Sequence, residues 1–294
     1  MNRQIEDRLA YLEAAVEHLY YEKIRLSSLV RYLLGPEVES VLAARCATKE
    51  SFDWQWDELP QGKHLLSDPA FCEQGIQLVL DYTQRPREWF EGKSVADVGC
   101  GNGRFSWVLG KLGANVLSLD QSEHALESTR NHCADMKGHR VLRADLLQDL
   151  PTEETFDLVW CYGVLHHTGD TYRAFCHTQK LVKSGGWLFL MLYGEPAWGE
   201  ITQFQELALY DRLRLRSQNL SFREKIDFLR QAMHSGDVPL RGEEYIHGYF
   251  DAISPPINDL YTRQEVEAWL SNHDFEAITK TAENRNLHIL ARKK

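Results

Sequence analysis

Two carboxylates occupy positions in the sequence from which they could hold a cationic, ribose-bearing ligand. Asp97 lies in residues 94–98, which read as a short buried strand running into a turn with glycines at 99, 101 and 103. Three glycines at alternate positions let the backbone approach a ligand closely and adopt dihedral angles that a Cβ atom would forbid. Asp120 ends the next predicted strand, where an acidic side chain pairs with ribose hydroxyls. A carboxylate at Asp97 repels a pyrophosphate but suits an ammonium group.

The spacing of the glycines separates this turn from two common nucleotide-binding motifs. G-x-G-x-G differs from the dinucleotide pattern G-x-G-x-x-G, and no P-loop Lys-Ser/Thr follows it. The stretch Val95-Ala-Asp-Val-Gly-Cys-Gly-Asn-Gly103 instead resembles the first motif of class I S-adenosylmethionine-dependent methyltransferases, of the small-molecule, type 11-like kind. The resemblance covers residues 90–193 and returns in the last 35 residues.

The resemblance implies a set of cofactor contacts. It places Asp97 at the methionine amine, Asp120 at both ribose hydroxyls and Asp145 at the adenine amino group. The remaining implied cofactor positions are Gly99, Cys100, Gly101 and Gly103 in the turn, Gln121 beside the adenine, Leu146 through its N–H, and Cys161 and Tyr162 at the methionine part. Asp145 as a helix cap, and Cys161 and Tyr162 as ordinary packing residues, are the alternatives.

Histidines supply the candidate catalytic groups, since histidine accepts a proton near neutral pH. His166 and His167 follow the fourth predicted strand, in a stretch that in similar methyltransferases lines the active site. His167 is the candidate base, with His166 as a structural or cofactor-side alternative, and His247 is a second candidate base. The residues expected to contact substrate or form a lid are Trp54, Gln55, Trp56, Tyr245, Tyr249 and Asp251. No third ligand completes a metal site with the histidine pair, so no metal is expected.

Alternating strand and helix patterns predict the fold. Strands are predicted at 94–98, 115–119, 139–143, 156–161 and 186–192, with helices at 104–112, 122–134 and 170–182 between them. Such alternation indicates a parallel sheet covered by helices on both faces. A last helix at 263–271 and two strands at 275–281 and 286–292 match the antiparallel edge of the family's seven-stranded sheet. Ser184-Gly-Gly186 is expected to form the turn before the fifth strand.

The predicted fold is therefore α/β, a Rossmann-like doubly wound sheet with an antiparallel last strand. Around it we expect an N-terminal helix at 1–35, a connector and cofactor-covering segment at 36–88, the core at 89–193, a helical lid insertion at 194–258 and the completion of the sheet at 259–294. The connector includes a helix from about 69 to 84.

Apolar residues spaced alternately four and three apart characterise residues 5–33, with Lys23 as the exception. This pattern is typical of a coiled-coil seam and predicts self-association. The alternative is an amphipathic helix packed on its own domain.

Composition limits the other functions. With 294 residues and 43% hydrophobic content the chain can bury a large core. A net charge of −10 argues against sequence-independent nucleic-acid binding. The six cysteines form no C-x-x-C pair, residues 1–25 are highly charged rather than signal-like, and no apolar run approaches a membrane span, so we expect a cytoplasmic protein without membrane insertion.

Together these features predict a methyltransferase that methylates an oxygen, in preference to a nitrogen, of a small molecule such as a sugar or glycan intermediate or a secondary metabolite. The nitrogen-methylating motif Asn/Asp-Pro-Pro-Tyr is replaced by Cys161-Tyr-Gly-Val164. The alternatives are a non-catalytic cofactor-binding scaffold that recruits a partner through the coiled coil, and transfer of a different group from the same cofactor.

Overall fold

The computed structural model describes residues 38–59, 69–197, 199–236, 238 and 246–294, together with positions 8, 10, 12, 14, 15 and 19. The helices are α1 (Val38–Glu58), α2 (Pro69–Thr83), α3 (Arg104–Lys111), α4 (Glu123–His132), α5 (Thr171–Thr178), α6 (Ile201–Ser217), α7 (Phe222–Ser235), α8 (Ile246–Ile253) and α9 (Arg263–Asn272). The strands are β1 (Ser94–Val98), β2 (Asn115–Asp120), β3 (Arg140–Arg143), β4 (Phe156–Tyr162), β5 (Val182–Leu192), β6 (Phe275–Lys280) and β7 (Leu287–Lys293).

The strands form one seven-stranded sheet in the order β3-β2-β1-β4-β5-β7-β6. The first five pair in parallel, β7 runs antiparallel to β5, and β6 runs antiparallel to β7. The predicted Rossmann-like sheet with an antiparallel edge is therefore confirmed.

Both faces of the sheet are covered by apolar layers, as expected for parallel strands that read as nearly continuous hydrophobic runs. Ala96 and Val98 on β1 face one layer, which includes Phe175 of α5 and Leu270 of α9. The alternate position Val95 faces the other layer, built largely from α2 and α3. Alternation along β1 places Asp97 on the same face as Val95, at the carboxyl end of the strand.

The chain divides into two compact units. The helical unit comprises Met1–Gln55 and Pro196–Ile257, and the sheet unit comprises Trp56–Glu195 and Asn258–Lys294. Both termini of the 196–257 insertion therefore connect to the sheet unit.

Helix α1 occupies residues that the sequence analysis assigned to a connector. The pattern predicts no helix there because polar and aromatic residues are mixed around it without a clear apolar stripe. Within the helical unit, tertiary contacts stabilise it: the Trp54 ring packs 5.1 Å from Phe250 and 5.6 Å from Phe222. Hydrogen bonds join Ser51 to Ser254 at 2.8 Å and Gln55 to His247 at 2.7 Å.

The expected turn at Ser184-Gly-Gly186 is wrong, because β5 already begins at Val182 and includes these residues. Its pairing with β4 shifts register at this point, as in a β-bulge. A Cβ at position 186 would lie 2.8 Å from the Phe156 carbonyl oxygen, so glycine is required for the close approach of the two strands. Helix α5 ends at Thr178, and Gln179–Leu181 form a 3₁₀ turn before the strand.

The predicted coiled-coil seam at 5–33 falls almost entirely outside the described residues. Of its positions, Leu12 and Leu19 are described, and their side chains are 56% and 66% exposed. Self-association stays a prediction.

Candidate functional site

The carboxyl ends of the parallel strands form one edge of the sheet, and the strand order changes direction between β1 and β4. Ligands of open α/β sheets bind in the crevice at such a switch point. The loops after β1, β2, β3, β4 and β5 all reach this edge. These loops and the strand ends that precede them carry the predicted cofactor positions and the histidine pair.

The loop after β1 turns sharply because its three glycines have positive φ angles, +71° at Gly99, +54° at Gly101 and +88° at Gly103. The Gly99 N–H donates to the Leu119 carbonyl of β2 at 2.7 Å. A Cβ at position 99 would lie 2.4 Å from Cγ2 of Val164, which follows β4. The glycine loop therefore lies directly against the β4 loop, across the switch point.

Asp120 holds the glycine loop to the start of α4. Its Oδ2 accepts the Gly101 N–H at 3.0 Å and its Oδ1 accepts the Ser122 N–H at 2.9 Å. Ser122 caps α4 by accepting the Ala125 N–H, as expected for an N-cap serine. A carboxylate offers about four acceptor sites, so it can bridge backbone and ligand at once. Gln121, beside it, is exposed.

Asp97 is almost completely buried at the end of β1. The Ser106 hydroxyl of α3 donates to its Oδ2 at 2.6 Å. Burial raises the pKa of Asp97 to about 7; the charge of Asp120 acts in the same direction and the Ser106 hydrogen bonds oppose it. A buried carboxylate of this kind gains most from a cationic partner.

Asp145 closes a turn after β3, where its Oδ1 accepts the Leu147 N–H at 3.0 Å. No helix begins there in the described chain, so the alternative of a helix cap is wrong; β4 is the next element. Leu146 is buried beside it. The turn places the carboxylate on the same sheet edge as Asp97 and Asp120.

The two predicted cofactor positions at the end of β4, Cys161 and Tyr162, have different surroundings. The Cys161 side chain is fully buried in the apolar layer, and burial raises the pKa of its thiol. The Tyr162 ring is half-buried and lies 4.8 Å from the Phe105 ring of α3. Because the Cys161 side chain faces the core, any ligand contact at this residue must come from its backbone.

His166 and His167 form a 3₁₀ turn just after β4. His166 is fully buried, its ring stacks on Tyr193 at 4.0 Å, and neither ring nitrogen has a hydrogen-bond partner among the described residues. Burial, followed by the charges of His167 and Arg285, holds the pKa of His166 well below its usual range, so this imidazole is neutral. The His167 ring lies 4.2 Å from it and is slightly exposed.

A family model matches the part of the chain that carries these features. Residues 96–188, which include the glycine loop, Asp120, Asp145 and the histidine pair, match a family model described as a methyltransferase domain.

Residues 96–188 form a class I methyltransferase domain. Ubiquinone biosynthesis O-methyltransferase from Bordetella avium (strain 197N) is 33% identical over 114 residues, 38% of this chain and 47% of that protein. The protein of the same name from Coxiella burnetii (strain Dugway 5J108-111) is 34% identical over 144 residues, 47% of this chain and 55% of that protein. The chain thus spans about half the length of the curated relatives it matches.

The solved structure of an O-methyltransferase family protein from Burkholderia thailandensis is 12% identical in sequence, with a TM-score of 0.50. The alignment covers 96% of this chain and 71% of that protein's chain. This likeness shows the fold alone. Class I methyltransferases use S-adenosylmethionine, and the residues present fit its chemistry: Asp97 is a buried carboxylate that suits an amine, while Asp120 ends β2 and Asp145 follows β3 at the same edge of the sheet.

Trp56 is the one member of the predicted Trp54-Gln55-Trp56 segment that lies in the sheet unit. A Cβ added to Gly101 would lie 3.2 Å from its indole ring, so the ring packs on the backbone of the glycine loop. Asp57, next along the chain, forms an ion pair with His124 of α4 at 2.7 Å. These contacts hold Trp56 against the loop.

The remaining predicted residues lie in the helical unit. Gln55 is buried and pairs with His247, the Tyr249 ring lies 6.3 Å from the Tyr210 ring, and Asp251 is half-buried on α8. Tyr245 falls outside the described residues. Their roles stay predictions.

Among the described residues, no group of three or more His, Cys, Asp or Glu side chains could hold a metal ion. None of the described helices is both long and apolar enough to cross a membrane.

Four residues that hydrogen bonds or ring contacts link to the candidate site are not among the predicted ones: Ser106, Ser118, His139 and Tyr193. Ser118 interrupts an otherwise apolar strand with both faces buried, which is a readable signal of a buried polar contact. Tyr193 follows β5 and contacts His166 across the sheet edge, a pairing that no local pattern reveals.

Proposed function

We propose that this chain is an S-adenosylmethionine-dependent O-methyltransferase acting on a hydroxyl of a small molecule. The placement of Asp97 and Asp120 on either side of the glycine loop, at the switch point of the sheet, carries the proposal. The two relatives named as O-methyltransferases support oxygen as the acceptor atom.

Asp97 receives the methionine amine, Asp120 the ribose hydroxyls, and Asp145 with the Leu146 N–H the adenine. Backbone groups of Gly99, Gly101, Gly103, Cys161 and Tyr162 complete the cofactor contacts. When bound, S-adenosylmethionine supplies an electrophilic methyl group on its sulfonium. The protein then has to align the acceptor oxygen and exclude water.

His167 serves as the base that takes the hydroxyl proton, and His166 positions it. A neutral His166 packed between Tyr193 and His167 fixes the second ring without placing a competing charge beside it. His247, hydrogen-bonded to Gln55, is the second candidate base.

The acceptor is a hydroxylated small molecule, with phenols and sugars or their glycan precursors as the two classes to test. A phenol, with a pKa near 10, is deprotonated by histidine far more readily than a sugar hydroxyl. The relatives named for ubiquinone biosynthesis support the phenolic class, and the net charge of −10 disfavours a nucleic-acid acceptor.

Product mass tests this proposal. The protein is incubated with S-adenosylmethionine and panels of catechols, hydroxybenzoates and nucleotide sugars, and products are analysed by mass spectrometry. A gain of one methylene on an acceptor is the expected result. A gain of an aminopropyl or carboxymethyl group would establish transfer of that group instead of methyl. Cofactor binding with no product from any of these acceptors would favour a scaffold role.

Substituting the two candidate bases separates their roles. We expect His167→Gln to lower kcat by about 100-fold or more, the usual minimum credited to general acid–base catalysis, while the KM for S-adenosylmethionine changes little. His247→Gln should lower kcat less than about tenfold. His234→Gln, an exposed histidine on α7, is the control. A His167→Gln enzyme within tenfold of wild type would show that the acceptor needs no base there.

We also propose that residues 5–33 mediate homo-oligomerisation. The exposed Leu12 and Leu19 side chains, both seam positions, support it. Light scattering that finds a monomer at every concentration would refute it.

A further inference from the structure

A line of three hydrogen bonds runs from Asp97 through the interior of the sheet unit. Ser106 Oγ donates to Asp97 Oδ2 at 2.6 Å, Ser106 Oγ lies 2.6 Å from Ser118 Oγ, and Ser118 Oγ lies 2.9 Å from His139 Nε2. Both serines are fully buried, and His139 is half-buried on the loop before β3. The line therefore links the predicted cofactor carboxylate to the protein surface.

This polar line lies in a layer where apolar side chains would be the ordinary choice. Asp97 and Ser118 are register partners on adjacent strands, and their neighbours on the same face are Val95 and Val116. Buried hydroxyls in such a layer are stable only when hydrogen-bonded. Within the loop that supplies His139, the His139 N–H donates to the Met136 carbonyl at 3.4 Å.

The direction of the hydrogen bonds follows from counting protons. Each serine hydroxyl has one proton to donate. When Asp97 is ionised, Ser106 must donate to it, Ser118 must then donate to Ser106, and His139 Nε2–H must donate to Ser118. His139 is thus the only end of the line that supplies a donor, and successive donors polarise one another.

We propose that His139 is a positioning residue of the cofactor site, which acts through Ser118 and Ser106 to hold Asp97 in the ionised form that receives an ammonium group. The inference rests on the proposed function, which puts the methionine amine at Asp97. Ser106, Ser118 and His139 are not among the cofactor positions that the family resemblance implies.

The other ionisable groups around Asp97 do not stabilise its ionised form. The charge of Asp120, at the end of β2, disfavours the ionisation of Asp97. The thiols of Cys100 in the glycine loop, Cys133 after α4 and Cys161 on β4 have raised pKa values, chiefly through burial, and stay neutral. Burial lowers the pKa of His139, so at neutral pH it acts as a neutral donor rather than a cation.

Titration of Asp97 provides the test and needs no ligand. Infrared difference spectroscopy follows the carboxyl band of the full chain against pH, with Asp97→Asn to assign it. Removing the donor by Ser118→Ala or His139→Phe should move the Asp97 midpoint upward by about half to one pH unit, while His139→Gln, which keeps a donor, should stay near wild type. Ser235→Ala and His234→Phe, on α7, are the matched controls. Equal midpoints in all variants would overturn the proposal.

Calorimetry with S-adenosylmethionine adds the functional readout. Affinity should be about threefold to tenfold weaker than wild type near pH 6.5 in Ser118→Ala and His139→Phe, and equal to wild type near pH 9, where Asp97 is ionised in every variant. A loss of the same size at both pH values would show a merely structural role and contradict the inference. Wild-type protein that binds no S-adenosylmethionine would refute the proposed function, while the infrared titration would still decide the role of His139.

Discussion

Replacing Asp120 with alanine is expected to weaken S-adenosylmethionine binding by at least about 100-fold. The carboxylate holds the glycine loop through the Gly101 and Ser122 N–H groups and is proposed to receive both ribose hydroxyls. Hydrogen bonds to a charged group contribute about 1.5–3 kcal/mol each, so losing two costs about 3–6 kcal/mol. Each 1.4 kcal/mol is about a tenfold change in affinity, which sets the lower bound. Titration calorimetry measures it directly.

Companion variants and thermal unfolding separate the loss of the ribose contact from the loss of the Gly101 and Ser122 contacts. Asp120→Asn keeps one carbonyl acceptor and should bind with an affinity between wild type and Asp120→Ala. Asp135→Ala removes an exposed acid just beyond α4 and is the matched control. Thermal unfolding of each variant without ligand reports damage to the loop. Wild-type affinity in Asp120→Ala would show that the ribose lies elsewhere.

A single methyl group at position 99 is expected to destabilise the fold by about 2–4 kcal/mol. Gly99 has a φ of +71°, and its Cβ would lie 2.4 Å and 2.5 Å from the two γ-methyl groups of Val164. The left-handed backbone alone costs an alanine about 1–2 kcal/mol, and the collision adds strain in a packed region. Urea unfolding followed by circular dichroism gives the free energy of unfolding.

A double-mutant cycle identifies the source of this loss. Val164→Ala removes both γ-methyl groups. In that background, the loss of unfolding free energy caused by Gly99→Ala should be smaller by at least about 1 kcal/mol. Gly248→Ala is the control, since this helical glycine has open space around its Cβ and alanine there should stabilise the protein by about 0.5–1 kcal/mol. Strict additivity of Gly99→Ala and Val164→Ala would show that the two loops do not press on one another.

The sheet and its acids could be predicted from sequence because their signals are local. The predicted bounds of β1 agree with the observed ones, and Asp97 and Asp120 stand out because each is an acid near the end of a mostly apolar run, Asp97 just before the glycine turn. The Ser106–Ser118–His139 line could not be predicted, because it depends on the pairing of β1 with β2. Ser118 stands out in the sequence only as a polar residue in a buried strand.

The sequence predicts neither helix α1 nor the start of β5, because local preference at both places differs from the structure. α1 has no apolar stripe, and packing such as that of Trp54 on Phe250 stabilises it. At β5, Gly185 and Gly186 have the composition of a turn, but the strand uses them for a bulge against Phe156. In both places long-range contacts outweigh local preference.

The position of β7 between β5 and β6 has a consequence for synthesis on the ribosome. β5 offers its second edge to β7 alone, and roughly ninety residues separate them in the chain, so at about 5–20 residues per second that edge stays unpaired for about 5–20 s. β6 is made earlier than β7 but has no place in the sheet until β7 has paired. During that time the apolar edge at Leu188–Leu192 can pair with another chain, so it is a site of aggregation in the nascent protein.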